Sequence, residues 1–440
     1  MTTENLNSNS STPTMPKDSA SSSRRSFLKG AGIATGALAL GVPAVHAAGK
    51  QSPIRVGLIG CGGRGTGAAV NALQADPNVQ IVALADLFGN RIARCRESLA
   101  QEFSERLLVT DESCFEGFES YQELLATDVD VVLLASPPHY RPDHIEAAVA
   151  AGKEIFCEKP VAVDATGVRR VEAACKIAAE KGLNVVSGLC WRYDQGMQET
   201  VARIHDGQIG RIVSTQSNYL TNPLWSRIPR EGESDMEFQC RNWYNHTWLS
   251  GDHIVEQFVH SLDKALWLHH DEPPVKAYGL GGRLMRTEPM HGDIYDHFSV
   301  VYEWADGSRT NAHTRQMSDC YNKTEDYIDG TTGAAKLIRH EITGDNPWKF
   351  KGKEVQMHQA EQNEFFKAIR GQRDRIDNSA YMCRSTLMAI LGREVCYSGK
   401  VLTYDEVANG AQDLRPKAYQ WGEGMPVVVA KPGSYLHPTA

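Results

Sequence analysis

Gly60-Cys61-Gly62-Gly63-Arg64-Gly65 follows directly on the apolar run Pro53–Gly60, and this spacing of glycines suits the binding of a pyrophosphate. The first glycine permits a tight turn, the second lets backbone amides approach the phosphates, and the third lets a following helix pack close to a sheet. A second apolar run, Val79 to Ala85, ends at Asp86, twenty-one positions after Gly65. A carboxylate there accepts both hydroxyls of an adenosine ribose and repels a 2′-phosphate, so NAD is expected over NADP. Arg64 and Arg91 are the side chains that could reach a phosphate and keep NADP open.

Three further groups could carry chemistry. Ser136, Pro137 and His139 follow one apolar run, and Glu158-Lys159-Pro160 follows another. In Gly251-Asp-His-Ile-Val-Glu-Gln-Phe-Val-His260, Glu256 and His260 are four apart, which places them on one face of a helix, with His253 one turn earlier. Oxidation of an alcohol needs a base for the hydroxyl proton while hydride leaves the carbon, and histidine is the side chain best poised for that near neutrality.

The elements that must position these residues alternate. Strands are expected at 53–60, 79–85, 128–135, 154–157 and 184–189, with helices at 142–151 and about 166–181. Strand and helix in alternation imply a doubly wound parallel sheet with ligands at the carboxyl ends of the strands, where Pro137, His139 and Lys159 fall. Strand-like alternation resumes at 275–282, 298–304 and 309–313. Amphipathic helices are expected at 354–369 and 380–398, the second burying Met382, Leu387, Ile390, Leu391 and Val395.

The glycine loop, Asp86, Ser136-Pro-Pro-His139, Cys157-Glu-Lys-Pro160 and Trp191-Arg-Tyr193 together resemble the Gfo/Idh/MocA oxidoreductases over most of residues 53 to 405. The resemblance implies an α/β fold: an N-terminal Rossmann domain, then an α+β domain with a large open, mainly antiparallel sheet for substrate and oligomer contacts. It implies that Lys159 sits beside the nicotinamide and that an acid-x-x-x-His pair on a helix completes the site. That family usually has Asp where this chain has Glu256. His260 is expected as the base, Glu256 as its orienting partner, and Lys159 as the cation that stabilises alkoxide character on substrate and contacts cofactor or ribose, or instead as the proton carrier itself. Gly60, Cys61, Gly62, Gly63, Arg64, Gly65, Asp86, Ser136, Pro137, His139, Glu158 and Lys159 are the expected cofactor residues. Arg192, Tyr193, Arg241, Tyr244 and His253 are the expected substrate contacts.

The segment 219–245 lacks periodicity and holds Trp225, Arg227, Arg230, Arg241, Trp243 and Tyr244. It reads as a pocket lid, since aromatic faces suit the C–H faces of sugars, or as a contact between subunits. His291 to His297 matches no tight ligand spacing, and no metal is expected. The formal net charge is −8, without any Lys/Arg-rich block, which argues against nucleic acid and for a small neutral or polar substrate. Ten cysteines stand singly without a CxxC pair, so neither a disulfide framework nor a zinc site is expected.

Ser23-Arg24-Arg25-Ser26-Phe27-Leu28-Lys29, an apolar run from Ala31 to Val45 and Val45-His46-Ala47 read as a twin-arginine export signal with its cleavage site. The run is too short and too rich in Gly and Ala for a stable membrane span. The organisation expected is a removed signal at 1–47, a Rossmann domain at 48–190, a substrate and oligomerisation domain at 191–405, and a C-terminal arm at 406–440. Export by the twin-arginine machinery places the folded enzyme in the periplasm or beyond, where no NAD pool exists. The cofactor must therefore be tightly bound and recycled in place. A carbohydrate oxidoreductase, as a homodimer or homotetramer, is the leading expectation. The alternatives are an NAD-dependent glycosidase that oxidises, eliminates, hydrates and reduces at the sugar ring, and a non-catalytic Rossmann-type binding protein.

Overall fold

The computed structural model describes residues 52–435 except residue 354, so the expected signal at 1–47 and the last five residues of the expected arm lie outside the described residues. The first six strands are β1 (Ile54–Ile59), β2 (Val79–Asp86), β3 (Cys114–Glu116), β4 (Val131–Leu134), β5 (Glu154–Cys157) and β6 (Val185–Ser187). They form one parallel sheet in the order β3-β2-β1-β4-β5-β6. Because helices cover both of its faces, its strands are largely apolar, and β4 and β5 are buried at every position. The order reverses between β1 and β4, which opens a crevice at their carboxyl ends.

The second sheet has nine strands: β7 (Ile212–Thr221), β8 (Lys276–Gly282), β9 (His297–Glu303), β10 (Arg309–Gln316), β11 (Lys323–Gly330), β12 (Gly333–Lys336), β13 (Glu341–Gly344), β14 (Trp348–Lys349) and β15 (Leu402–Thr403). Their order is β14-β13-β12-β11-β7-β10-β9-β8-β15. Only β7 and β10 pair in parallel; the other neighbours run antiparallel. In β9 the inward residues Phe298, Val300 and Tyr302 are buried and alternate with half-exposed neighbours, as expected for a sheet with one covered face.

The helix Ser379–Ser398 joins the two halves. It lies against the helix Ala165–Glu180 on one side and β8 on the other, and Met382, Leu387, Ile390, Leu391 and Val395 are buried as their spacing predicts. The helix Met357–Ile369 packs on the helix Gly63–Ala75, where Asn71 Nδ2 donates to Gln359 Oε1 at 2.9 Å. Val185 N donates to Ile376 O and Asn378 N donates to Val185 O, so residues 376–378 run along the open edge of β6. The division expected at 190/191 is thus crossed by the chain's return, and the described residues belong to one compact unit. The helix Tyr404–Ala408 likewise crosses the division expected at 405/406.

Candidate active site

The glycine loop leaves β1 with Gly60 at φ +101°, where an added Cβ would stand 2.4 Å from Ser136 N. That position requires glycine twice, for its backbone angle and for the close approach of the β4 loop. A Cβ on Gly65 would lie 1.8 Å from Gly60 O, so the helix Gly63–Ala75 can meet β1 only without one. A Cβ on Gly62 or Gly63 would meet nothing within 4 Å. Those two backbones face open space, and no side chain caps the helix that begins there, which is the arrangement an anion needs.

Asp86 closes β2 and is buried. Its Oδ2 accepts from Cys61 N at 2.7 Å and its Oδ1 from Phe88 N at 3.0 Å, which leaves lone pairs on both oxygens for ribose hydroxyls. Burial pushes its carboxyl upward, and the nearby Arg91 and these amides oppose that. A cleft of about 760 Å³ runs from the glycine loop past Asp86. Leu87, Phe88 and Arg91 line one lip, and Ser136, Pro137, Tyr140 and His144 the other. Cleft, open glycine backbone and buried acid together fit a dinucleotide.

Three expected cofactor residues, His139, Glu158 and Lys159, do not line this cleft. Glu158 is buried and accepts from Arg64 Nε at 2.5 Å; Arg64 also reaches Glu361 at 3.4 Å. Arg64, Arg141 and Lys159 hold the Glu158 carboxyl low against its burial, while burial and Glu158 itself push Glu361 well up. Arg64 lines the cleft yet is already spent on two carboxylates; Arg91, Arg94, Arg227 and Arg241 are the cleft's other arginines. His139 does not line the cleft: its Nε2 shares a hydrogen bond of 2.9 Å with Tyr419 of the C-terminal segment, and burial lowers it to about 4.

At the carboxyl end of β5, Lys159 Nζ donates to the Glu256 backbone carbonyl and, at 3.1 Å, to Glu256 Oε1. The expected Glu256–His260 pair does not form. Glu256 ends the helix His253–Glu256, and His260 belongs to the next, Val259–Leu268. Between them Phe258 N donates back to His253 O, a five-residue step that turns His260 off the stripe assumed for a continuous helix. His260 is half-buried, with its Nδ1 buried and unpartnered. Burial lowers its imidazole well below the ordinary value, and the nearby Lys159 and Lys264 add to this. It is neutral at neutral pH and can accept a proton.

The expected substrate contacts are mostly structural. Arg192 donates to Asp263 and Asp271 and lies 3.9 Å from the ring centre of Tyr381. Tyr193 donates to Asn378, and Tyr244, only 1% exposed, accepts from Gln316 Nε2 at 2.8 Å. His253 is fully buried, with Nδ1 against Asp252 and the Tyr295 carbonyl. Arg241 lines the nucleotide cleft, ion-paired with Glu233. With Trp225, Arg227 and Trp243 it walls the nucleotide cleft, while residues 219–224 of the same segment line a separate cleft.

Sequence reasoning missed Tyr140, His144 and Phe118 in the cleft, and also Gln257, which follows Glu256 and accepts from Tyr219 at 3.1 Å. Gln257 and Tyr219 open a second, polar cleft of about 450 Å³ that Gln316 and Thr324 also line. The position of Tyr219 at the end of a strand was the available signal. Among the described residues no cluster of three or more His, Cys, Asp or Glu is arranged to hold a metal ion. His297 is paired with Asp296.

Residues 54–189 match the family GFO_IDH_MocA, described as "Oxidoreductase family, NAD-binding Rossmann fold", and residues 197–336 match its C-terminal domain, GFO_IDH_MocA_C3. Inositol 2-dehydrogenase of Rhizobium meliloti (strain 1021) is 26% identical over 282 residues, 64% of this chain and 74% of that protein. 2,7-anhydro-N-acetylneuraminate hydratase of Escherichia coli (strain K12) is 26% identical over 218 residues, 49% of this chain and 53% of that protein. The fold is shared with scyllo-inositol dehydrogenase from Lactobacillus casei with bound NAD(H) and scyllo-inositol, at TM-score 0.62 and 16% identity over 80% of this chain and all of that one. It is shared too with aldose-aldose oxidoreductase from Caulobacter crescentus, at TM-score 0.61 and 16% identity over 80% of this chain and 99% of that one.

Proposed function

This chain belongs to the Gfo/Idh/MocA family of NAD-binding oxidoreductases, and from that premise we propose that it oxidises a CH–OH group of a sugar, polyol or glycoside outside the cytoplasm. The observation that carries the reading is the placement of Lys159, held by Glu256, near a neutral, half-buried His260 at the carboxyl end of β5. His260 takes the hydroxyl proton, and the Lys159 ammonium stabilises the alkoxide character that develops on the same oxygen. Glu256 holds Lys159 in place and does not orient the imidazole. NAD, when bound, supplies the hydride acceptor. The second cleft, with the Tyr219 hydroxyl and the Gln257 and Gln316 amides, has the size and polar lining a monosaccharide or cyclitol needs.

The leader with Arg24-Arg25 supports export, and export without an external NAD pool calls for a cofactor that stays bound and is reoxidised by a second carbonyl compound. The outer face of β8, where Tyr278 and Leu280 are exposed, is the surface on which a second copy would pack. The NAD-dependent glycosidase, redox-neutral overall, is kept as the second reading because its cycle includes a hydration and one relative is named a hydratase.

The test is to purify the protein undialysed, follow the near-ultraviolet absorbance of its bound nucleotide, and add free sugars, cyclitols and aryl glycosides. Reduction by a polyol or sugar with reoxidation by a second carbonyl is the expected result. Aglycone release without net reduction would favour the second reading, and a protein that binds no NAD would overturn both.

A further inference from the structure

The C-terminal segment touches the loops that follow β2, β3 and β4 around the cleft. Trp421 lies with its ring centre 4.7 Å from that of Phe118, after β3, and 5.9 Å from that of Phe88, after β2. Tyr419 packs on Phe118 at 5.7 Å and on Tyr140, after β4, at 5.9 Å, and its hydroxyl meets His139 Nε2 at 2.9 Å. One short stretch of chain therefore bridges the lips that follow β2, β3 and β4. Phe88 and Phe118 themselves line the cleft.

The same stretch also fastens the opposite wall. Met236 N donates to Gly422 O at 3.0 Å, and Gly422 N donates to Ser234 Oγ at 3.2 Å. The buried Gln239 side chain pairs in both directions with the Met425 backbone, at 2.8 and 3.0 Å, and its Oε1 also accepts from Trp248. These bonds hold the helix Asp235–Arg241, whose Cys240 and Arg241 line the cleft beside Trp225 and Trp243. Met425 and Leu414 join Phe88, Phe118, Tyr140 and Met236 in one apolar cluster at the rim.

We propose that residues 419–425 are a strap of the dinucleotide site, which locks its adenosine end so that NAD is retained through successive turnovers. The strap rests on the reading of the protein as an NAD-dependent oxidoreductase and deepens it, since it supplies a physical cause for a cofactor that does not exchange. Lips tied to one another and to the far wall cannot part without breaking the ring contacts of Trp421 and Tyr419 and the Gln239–Met425 pairing. Dissociation, more than association of the intact pocket, is where such a constraint acts.

The experiment is exchange of bound NAD against excess radiolabelled NAD in the full-length protein, with Trp421→Ala, Tyr419→Phe and, as a control on the same segment, Val428→Ser, which is 72% exposed. Wild type and Val428→Ser are expected to exchange slowly. Trp421→Ala is expected to exchange at least about tenfold faster, and Tyr419→Phe, which loses only the bond to His139, by a smaller factor. Melting temperatures of the holoproteins identify any variant that has lost its fold; Tyr419→Phe keeps the question answerable if Trp421→Ala has. Equal exchange in wild type and in folded variants overturns the strap while leaving the oxidoreductase reading intact. A wild type that takes up no NAD at all overturns the reading beneath it.

Discussion

At the scale of single residues, the site depends on which carboxylate meets which cation. Lys159 and Glu256 are joined directly, and His260 stands apart from Glu256. Lys159→Ala and His260→Ala are each expected to lower kcat by roughly 10²–10⁴-fold, the usual worth of a positioned acid or base, with NAD still bound. Wild-type turnover in either variant would remove that residue from the chemistry. A double-mutant cycle decides the partner of Glu256. Glu256→Gln should couple to Lys159→Met by about 1 kcal/mol or more and to His260→Ala by close to nothing. The reverse pattern would restore the acid to the imidazole. Asp86→Ser is expected to weaken NAD binding roughly 10- to 100-fold by isothermal titration, because it removes the ribose acceptor and leaves Cys61 N and Phe88 N without theirs.

At the scale of elements, the glycine loop separates folding from binding within six residues. Gly65→Ala drives a Cβ into the Gly60 carbonyl and is expected to cost about 1–3 kcal/mol or more in denaturant unfolding, since the helix and β1 must part. Gly62→Ala meets no neighbour, so stability should change by less than ~0.5 kcal/mol. Its methyl group nevertheless occupies the approach a pyrophosphate needs, and NAD affinity should fall at least about tenfold, the reach of ~1.4 kcal/mol. A Gly62→Ala protein that binds NAD normally would show that the phosphates lie elsewhere. The kinked passage through residues 257–258 makes the complementary point. Counting residues places side chains only while the helix stays regular, and one five-residue hydrogen bond moved His260 away from Glu256.

At the scale of the whole molecule, burial of uncharged imidazoles makes the fold sensitive to acid. Burial lowers His139, His246 and His269 to about 4 and His144 to about 3. Below the unfolded value near 6.5 the unfolded chain takes up protons that the native one refuses, so stability falls as pH drops from about 6.5 toward 4, by up to ~1.4 kcal/mol per unit for each group. Glu361 works in the opposite sense above about pH 4.5, because only the unfolded chain ionises it there. His205, His253, His260, His291, His313 and His358 are lowered as well, while Asp293, pushed up to about 6, Asp86, Asp164 and Glu325 are raised with Glu361. Ten imidazoles against five carboxyls among the described residues leave a net acid loss, and urea midpoints measured between pH 7 and 5 should decline. A flat profile would mean that these histidines are hydrated in solution.

How much was legible in the chain follows from how local each signal is. The glycine loop, Asp86, the strand and helix alternation and the apolar stripe of the helix Ser379–Ser398 are properties of short windows, governed by backbone angles and by the periods of strand and helix, and sequence by itself determined them. It also marked Lys159, through its place after a strand. Tertiary structure alone decided the rest. Arg192, Tyr193, Tyr244 and His253 have the right chemistry for a sugar, yet each is consumed by a partner far along the chain: Asp263, Asn378, Gln316 or Tyr295. The segments 225–243 and 419–425 carry aromatics whose placement beside the nucleotide cleft depends on contacts with loops a hundred or more residues away. A side chain's type announces what it can bond. Which partner it finds is set by the packing of distant segments, because leaving a buried polar group unpaired is costly.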